Sequence, residues 1–188
     1  MNPFMSRFPV ESREEWFGSQ QYFEELEACI EQKVNTVILG VQGSGKTSLL
    51  RTMFSFDYCE RLAAERKILA CEADLSAQQD GNAICHYLAE RILEEAELYL
   101  EDSEKKAAML RELRAVTGDS GQSRLSKMIT RLHRKYGYFV VLLMNHFERF
   151  TTSPRVTMEH HEVLRSHIEE RMLQCIAATN YDLSQDSL

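Results

Sequence analysis

A glycine-rich run directly after an apolar stretch constrains the fold of this chain more than any other feature. The apolar stretch covers residues 34–39, and the run at residues 40–48 reads G-V-Q-G-S-G-K-T-S. The pattern G-x-x-x-x-G-K-[ST] forms a nest of backbone NH groups around phosphate oxygens, at the positive end of the helix that follows. The sequence therefore predicts a strand, a phosphate-binding loop and a helix, in that order.

Each position of this loop has an expected role. Gly40 ends the strand, and two further glycines permit the turn. The lysine is expected to reach the terminal phosphates of a nucleotide, and the Thr47 hydroxyl is expected to ligate Mg²⁺. The residues predicted to contact ATP or ADP are Gly40, Gln42, Gly43, Ser44, Gly45, Lys46, Thr47 and Ser48.

Size and composition predict one globular domain over residues 1–188. The chain has 188 residues, of which 44% are hydrophobic, and that is enough for a substantial core. Its five cysteines include no C-x-x-C pair, as is typical of core residues in a reducing compartment. No apolar run reaches the length of a membrane span, and the amino terminus lacks the apolar core of a signal peptide. We therefore expect a cytoplasmic protein without membrane contact.

The charge distribution favours helix pairing over nucleic-acid binding. A net charge of -7 gives no support to a generally basic surface. Acidic residues concentrate in residues 90–104, and basic residues dominate residues 105–135. Opposite charges on adjacent segments are typical of two solvated helix faces that attract each other.

Hydrophobic periodicity predicts alternating strands and helices after an extended arm at residues 1–18. The predicted strands cover residues 35–39, 67–74, 138–144 and 174–179. The predicted helices cover residues 19–33, 46–56, 81–100 and 158–173, with Ser19 capping the first. A helical insert at residues 103–136 adds two helices, capped by Ser103 and Ser123. Strands separated by helices imply a parallel α/β sheet, which binds ligands beyond the carboxyl ends of its strands.

The loop and the strand ends together resemble the AAA+ and STAND class of P-loop ATPases. The resemblance rests on the phosphate loop, the helical insert, the apolar strand followed by Asn-His-Phe-Glu-Arg and the strand ending in Ala-Ala-Thr-Asn-Tyr-Asp. Within that class the chain is most similar to bacterial STAND-like and replication-origin-type ATPases, whose glycine-containing box would be residues 16–20. The resemblance implies strand order 5-1-4-3-2, with helices on both faces and the most apolar strand in the centre.

Two positions depart from the class, which usually ends the third strand in Asp and Glu. Here Asn145 would hold Mg²⁺ together with Thr47, but without a negative charge. His146 stands where the class has its catalytic base. An imidazole titrates near pH ~6.5 and can act as a base, although loss of the base is the preferred interpretation. Glu148 is the nearest remaining carboxylate, and the resemblance implies that Asn180 contacts the terminal phosphate or the attacking water.

The carboxyl end is a further departure, because the resembled class continues into a fifth strand and a helical lid. We therefore expect a chain truncated before strand five, with the edge of the first strand covered by the amino-terminal arm, a protein partner or a second copy. The favoured hypothesis is an ATP-binding switch module with weak or absent hydrolysis. The alternative is an active Mg²⁺-dependent ATPase, as a single chain or as an oligomer, that uses His146 or Glu148. A small-molecule kinase is the third hypothesis.

Overall fold

The computed structural model describes residue 18, residues 20–99 and residues 104–180, with only the backbone described at residues 104 and 105. The predicted arm, the expected helix caps Ser19 and Ser103, and most of the box at residues 16–20 lie outside the described residues.

Among the described residues, four parallel strands form one sheet with the order β1-β4-β3-β2. The strands are β1 (Thr36–Gly40), β2 (Ile68–Asp74), β3 (Phe139–Asn145) and β4 (Leu173–Asn180). Every residue of β3 is buried, as expected for an inner strand covered on both faces. The predicted α/β class and the 1-4-3-2 portion of the strand order are confirmed.

Eight helices connect and cover the strands among the described residues. They are α1 (Gln20–Gln32), α2 (Lys46–Met53), α3 (Phe56–Arg66), α4 (Gly81–Tyr99), α5 (Glu104–Arg114), α6 (Gly121–Tyr136), α7 (Glu148–Thr152) and α8 (Met158–Glu169). The prediction missed α3 and the short α7. It also placed the cap of α6 at Ser123, which was wrong: the cap is Ser120, whose side chain accepts a hydrogen bond from the Ser123 backbone NH.

The helix after the phosphate loop is shorter than predicted. It ends at Met53, and Ser55 adopts an extended conformation that begins α3. No glycine or proline marks this break in the sequence. The change of helix axis lets Cys59 and Leu62 pack into the core beside α1. Such packing is a tertiary effect, and the hydrophobic periodicity of a single helix does not reveal it.

The core has one layer on each face of the sheet. Helices α1, α2 and α3 pack on one face, and α4, α5, α6 and α8 pack on the other. Alternate residues of β3 supply the two layers: Val141 and Leu143 face the first, and Val140 and Leu142 face the second. This two-sided cover holds the carboxyl ends of the strands in fixed register.

The opposite charges of the helical segments pair as predicted. Arg114 on α5 contacts Glu97 on α4 at 2.8 Å, and Arg124 on α6 is paired with Glu90 on α4. Such exposed pairs each contribute about 0–1 kcal/mol, so they orient the insert more than they stabilise it.

Strand β1 lies at the open side of the sheet, with β4 as its only strand partner among the described residues. Val37 and Leu39 on this strand are 56% and 63% exposed. Within the described parts of the chain, no helix is long and apolar enough to cross a membrane.

Candidate functional site

The glycine-rich loop joins β1 to α2 at the carboxyl edge of the sheet. Gly43 and Gly45 adopt φ angles of 81° and 89°, in the left-handed region that favours glycine. The Ser44 NH donates to the Val41 carbonyl at 3.2 Å, which closes the turn. A Cβ on Gly40 would lie 2.6 Å from the Ser44 Oγ, so a larger residue there would force the Ser44 side chain to move. Local sterics therefore account for glycine at positions 43 and 45.

The loop presents backbone donors at the start of α2. Residues 41–44 are exposed, and Gly45 precedes the helix without any side-chain cap. The first NH groups of a helix have no partner within it, and they carry the positive end of the helix dipole. An anion with several oxygens matches this arrangement.

Lys46 bonds to the loop and to the neighbouring strand. Its Nζ donates to the carbonyls of Gly40 at 2.7 Å and Val41 at 2.9 Å, and to Asn180 Oδ1 at 3.1 Å. Desolvation lowers the pKa of Lys46 from its ordinary value, whereas the nearby charge of Glu148 acts to raise it. The ammonium thus lies between the loop and the end of β4.

Glu148 lies in the site and not outside it. It is the first residue of α7, and its carboxylate folds back onto the end of β4. Oε2 accepts from Thr179 Oγ1 at 2.9 Å and from the Asn180 NH at 3.3 Å, and Oε1 accepts from Asn180 Nδ2 at 3.1 Å. Because Asn180 also accepts from Lys46, a chain of hydrogen bonds links Lys46, Asn180 and Glu148.

These contacts hold the carboxyl group of Glu148 in its ionised form. Desolvation acts to raise its pKa, but hydrogen bonds from its own backbone NH, Thr179, His146 and Asn180 outweigh this effect. The pKa of Glu148 is therefore below its ordinary value. An acceptor in this state is a weak base.

His146 adopts a strained backbone conformation beside Glu148. Its φ angle is 55°, which is uncommon for a residue with a Cβ. Its Nδ1 lies 3.2 Å from Glu148 Oε1, and 39% of its side chain is exposed. The contact makes a His–Glu pair next to the end of β3.

Asn145 is buried at the end of β3, with 3% of its surface exposed. Its Nδ2 donates to Glu72 Oε1 at 3.2 Å, and the same oxygen lies 3.5 Å from Arg51 Nε on α2. Asp74 is paired with Asn145 in the strand register, but its carboxylate accepts from the Ser76 NH and caps the strand end.

The structure thus brings together most of the predicted site residues. Lys46, Asn180, Glu148 and His146 form a connected set, whereas Asn145 contacts residues that the sequence did not single out. The missed residues are Glu72 and Arg51. One signal was available in the sequence: Glu72 is a carboxylate inside an otherwise apolar run, and an ionised group at such a place generally has a partner.

Thr47 and Asn145 carry oxygen donors of the kind that a divalent cation such as Mg²⁺ accepts. Thr47 supplies a hydroxyl near the start of α2, and Asn145 supplies a buried amide at the end of β3. Hydroxyl and amide oxygens suit hard cations, usually together with carboxylates and water. Glu72 places a carboxylate one hydrogen bond away from Asn145.

The histidines of α8 have structural contacts. His160 Nδ1 accepts from the Thr157 NH at 3.0 Å, as part of the helix cap. His161 packs against the ring of Phe150, and His167 bonds to the Val163 carbonyl at 2.6 Å. Among the described residues, no group of three or more His, Cys, Asp or Glu side chains is arranged to hold a metal ion.

The fold is shared with solved P-loop ATPases. The ORC2 protein of Aeropyrum pernix, solved as ADPNP–ADP complexes, superposes with a TM-score of 0.61 at 13% identity over 95% of this chain and 44% of that one. The Walker-type ATPase PABY2304 of Pyrococcus abyssi gives 0.56 at 16% identity, over 94% and 49%. The Aeropyrum pernix ORC1 protein, solved in complex with DNA, gives 0.53 at 14% identity, over 99% and 44%.

This chain spans just under half the length of these structures. No protein family and no curated protein sequence matches it. At this level of identity the similarity concerns the fold, and the α/β P-loop fold predicted from the sequence is confirmed.

Proposed function

We propose that this chain is an ATP-binding module of AAA+/STAND type that acts as a nucleotide-dependent switch with weak or absent hydrolysis. One observation carries the proposal: the hydrogen-bonded chain from Lys46 through Asn180 to Glu148 connects the phosphate loop with α7. A change at the loop therefore has a short physical route to a separate element.

Nucleotide binding would use the exposed backbone donors of the loop. Phosphate oxygens would replace the carbonyls of Gly40 and Val41 as partners of the Lys46 ammonium, which exchanges neutral acceptors for charged ones. Thr47 and Asn145 would hold Mg²⁺, and the cation would neutralise part of the phosphate charge. We propose adenine as the base of the nucleotide, and this choice rests on the resemblance alone.

The switch would operate through Asn180. This side chain uses its oxygen for Lys46 and its nitrogen for Glu148, so a terminal phosphate that takes Lys46 also disturbs the contact with Glu148. Glu148 begins α7, and the preceding Phe147 NH is bonded to the Ala178 carbonyl of β4. ATP and ADP would thus favour different positions of α7, which a protein partner or a second copy of this chain would detect.

The chemistry of the strand ends supports weak hydrolysis. A general base works best when its pKa lies near the working pH, whereas the pKa of Glu148 is lowered and both of its oxygens already accept hydrogen bonds. His146 replaces the carboxylate of the resembled class. Glu148 is thus an engaged and weakly basic carboxylate, and His146 provides no carboxylate.

A second candidate is an active Mg²⁺-dependent ATPase, complete only as an oligomer. The contact between His146 and Glu148 favours it, because a histidine oriented by a carboxylate is a common general-base arrangement. Binding of nucleic acid is not proposed: one similar protein was solved with DNA, but the net charge here is -7.

Calorimetric titration and phosphate release together test the proposal. We expect the wild-type chain to bind ATP, and its Mg²⁺-dependent phosphate release to stay at the level of a Lys46→Ala variant. Failure to bind ATP would contradict nucleotide binding altogether. Release well above the Lys46→Ala level, and lost in His146→Ala or Glu148→Gln, would replace the switch with the ATPase.

A further inference from the structure

The carboxylate of Glu72 lies beside Asn145, although a phosphate loop does not itself require a carboxylate there. Glu72 belongs to β2, and its Oε1 is 3.2 Å from Asn145 Nδ2. An ionised carboxylate only accepts hydrogen bonds, so the amide must present its NH₂ group to Glu72. The amide oxygen of Asn145 then occupies the other branch of the side chain and is left for a different partner.

The helix after the loop reaches the same carboxylate. Arg51 Nε on α2 lies 3.5 Å from Glu72 Oε1. Arg51 follows Thr47 by four residues, and residues at this spacing share one face of a helix with Cβ atoms about 5–6 Å apart. The face of α2 that carries the Thr47 hydroxyl is therefore the face turned towards Glu72 and Asn145.

We propose that Glu72 is a positioning residue for the divalent-cation site of Thr47 and Asn145. It fixes the orientation of the Asn145 amide, so that the oxygen is offered to a hydrated cation. It also places a carboxylate, itself paired with Arg51, one hydrogen bond beyond Asn145. Residues that hydrogen-bond to a metal ligand commonly tune the affinity for the metal. The inference rests on the proposed binding of nucleotide with Mg²⁺.

Asn145 and Glu72 form a matched pair of one amide and one carboxylate. An Asp at position 145 would place two carboxylates about 3 Å apart at a site where Asn145 is buried, and like charges at that distance repel strongly. Asn at position 145 is therefore the partner that Glu72 requires. The resembled class has a carboxylate at the end of its third strand, whereas here the carboxylate lies on the neighbouring strand β2.

A charge-swap cycle tests the inference in the intact chain. The variants are Glu72→Gln, Asn145→Asp and the double variant with both changes, which exchanges the amide and the carboxylate. The first measurement is the dissociation constant of a nonhydrolysable ATP analogue, with Mg²⁺ and with EDTA. The second is Tm without nucleotide.

We expect Glu72→Gln to lose about tenfold of the affinity that Mg²⁺ adds, with affinity in EDTA unchanged within about threefold. Asn145→Asp should lower Tm by about 3 °C or more through repulsion of the two carboxylates. The double variant should regain most of both losses, because one donor and one carboxylate again face each other. A purely structural contact would restore Tm alone.

Asp74→Asn is the matched control. Asp74 pairs with Asn145 in the strand register, but its carboxylate bonds to the Ser76 NH. Its substitution should leave the Mg²⁺ effect unchanged. Equal Mg²⁺ effects in wild type and Glu72→Gln, or a double variant no better than the worse single one, would overturn the inference. If the wild type binds no nucleotide, the proposed function fails, and the Tm cycle still tests whether Glu72 and Asn145 are coupled.

Discussion

The two halves of the candidate site contrast in how they are built. The loop half is continuous in sequence, at residues 40–48, and its shape follows from glycine φ angles of 81° and 89°. The strand-end half collects side chains from β2, β3, β4 and the start of α7. The loop half matches its sequence pattern at every defined position, whereas the strand-end half carries the polar residues Asn145 and His146 after β3.

Under the proposed function, binding and hydrolysis would depend on different parts of the molecule. Binding of phosphate requires backbone donors and one ammonium group, and local geometry alone produces them. Hydrolysis also requires an unengaged base near the attacking water. Glu148, the carboxylate connected to Lys46 through Asn180, is held by Thr179 and Asn180. The loop half can therefore remain intact while the strand-end half serves another purpose.

The largest expected effect separates the two halves directly. Lys46→Ala should weaken binding of ATP about 100-fold, because hydrogen bonds between charged partners contribute about 1.5–3 kcal/mol each. His146→Ala should change the affinity by less than about threefold, since His146 contacts Glu148 and not the loop. Calorimetric titration measures both, with Lys127→Ala on α6 as a control that should bind as wild type does. Equal losses of ATP affinity in Lys46→Ala and His146→Ala would contradict the difference between the loop half and the strand-end half.

A backbone change tests whether the loop half depends on φ alone. Gly43→Ala meets no atom within 4 Å, so its cost comes from the φ angle of 81°. A left-handed residue with a Cβ costs roughly 1–2 kcal/mol. The part that the free loop escapes by relaxing should weaken binding of ATP by up to about tenfold, and the rest should lower Tm by up to about 3 °C.

Gly137→Ala is the matched control for this change. Gly137 has a φ angle of 75° with no atom nearer than 3.8 Å to an added Cβ, and it caps α6 away from the loop. We expect a similar loss of Tm with unchanged affinity for ATP. An equal loss of affinity in both variants would mean that general destabilisation, and not loop geometry, explains the result for Gly43.

The smallest expected effect concerns the strand-end half and depends on pH. The folded-state pKa of Glu148 is lowered, so its ionised form stabilises the fold above the unfolded-state pKa, and this stabilisation is lost as pH falls through the folded-state pKa. Glu148→Gln removes the charge and should lower Tm by about 3 °C at pH 7. The difference in Tm between wild type and variant should shrink as the pH falls below 4.5. A difference that stays constant or grows would show that ionised Glu148 contributes no stability.

The accuracy of the sequence predictions follows the same division. Strand β3 was predictable because its apolar run admits one interpretation as an inner strand, and the loop was predictable because its glycines obey local sterics. The break between α2 and α3 was missed, because neither glycine nor proline marks it and the new axis follows from burial of Cys59 and Leu62 in the core. The prediction placed the cap of α6 at Ser123 and not at Ser120, because two serines three residues apart give equivalent capping signals.

The sequence by itself determined the phosphate loop and the order in which strands and helices alternate, because both depend on residues close together in the chain. Only the tertiary structure decided which carboxylate meets which polar partner. Glu72 and Asn145 are 73 residues apart, and Glu148 and Asn180 are 32 apart. These contacts arise from parallel pairing of β2 with β3, and from the turn that carries the chain from β3 into α7 across the end of β4. Sheet register and helix placement set such distances, and neither is written in any local pattern of residues.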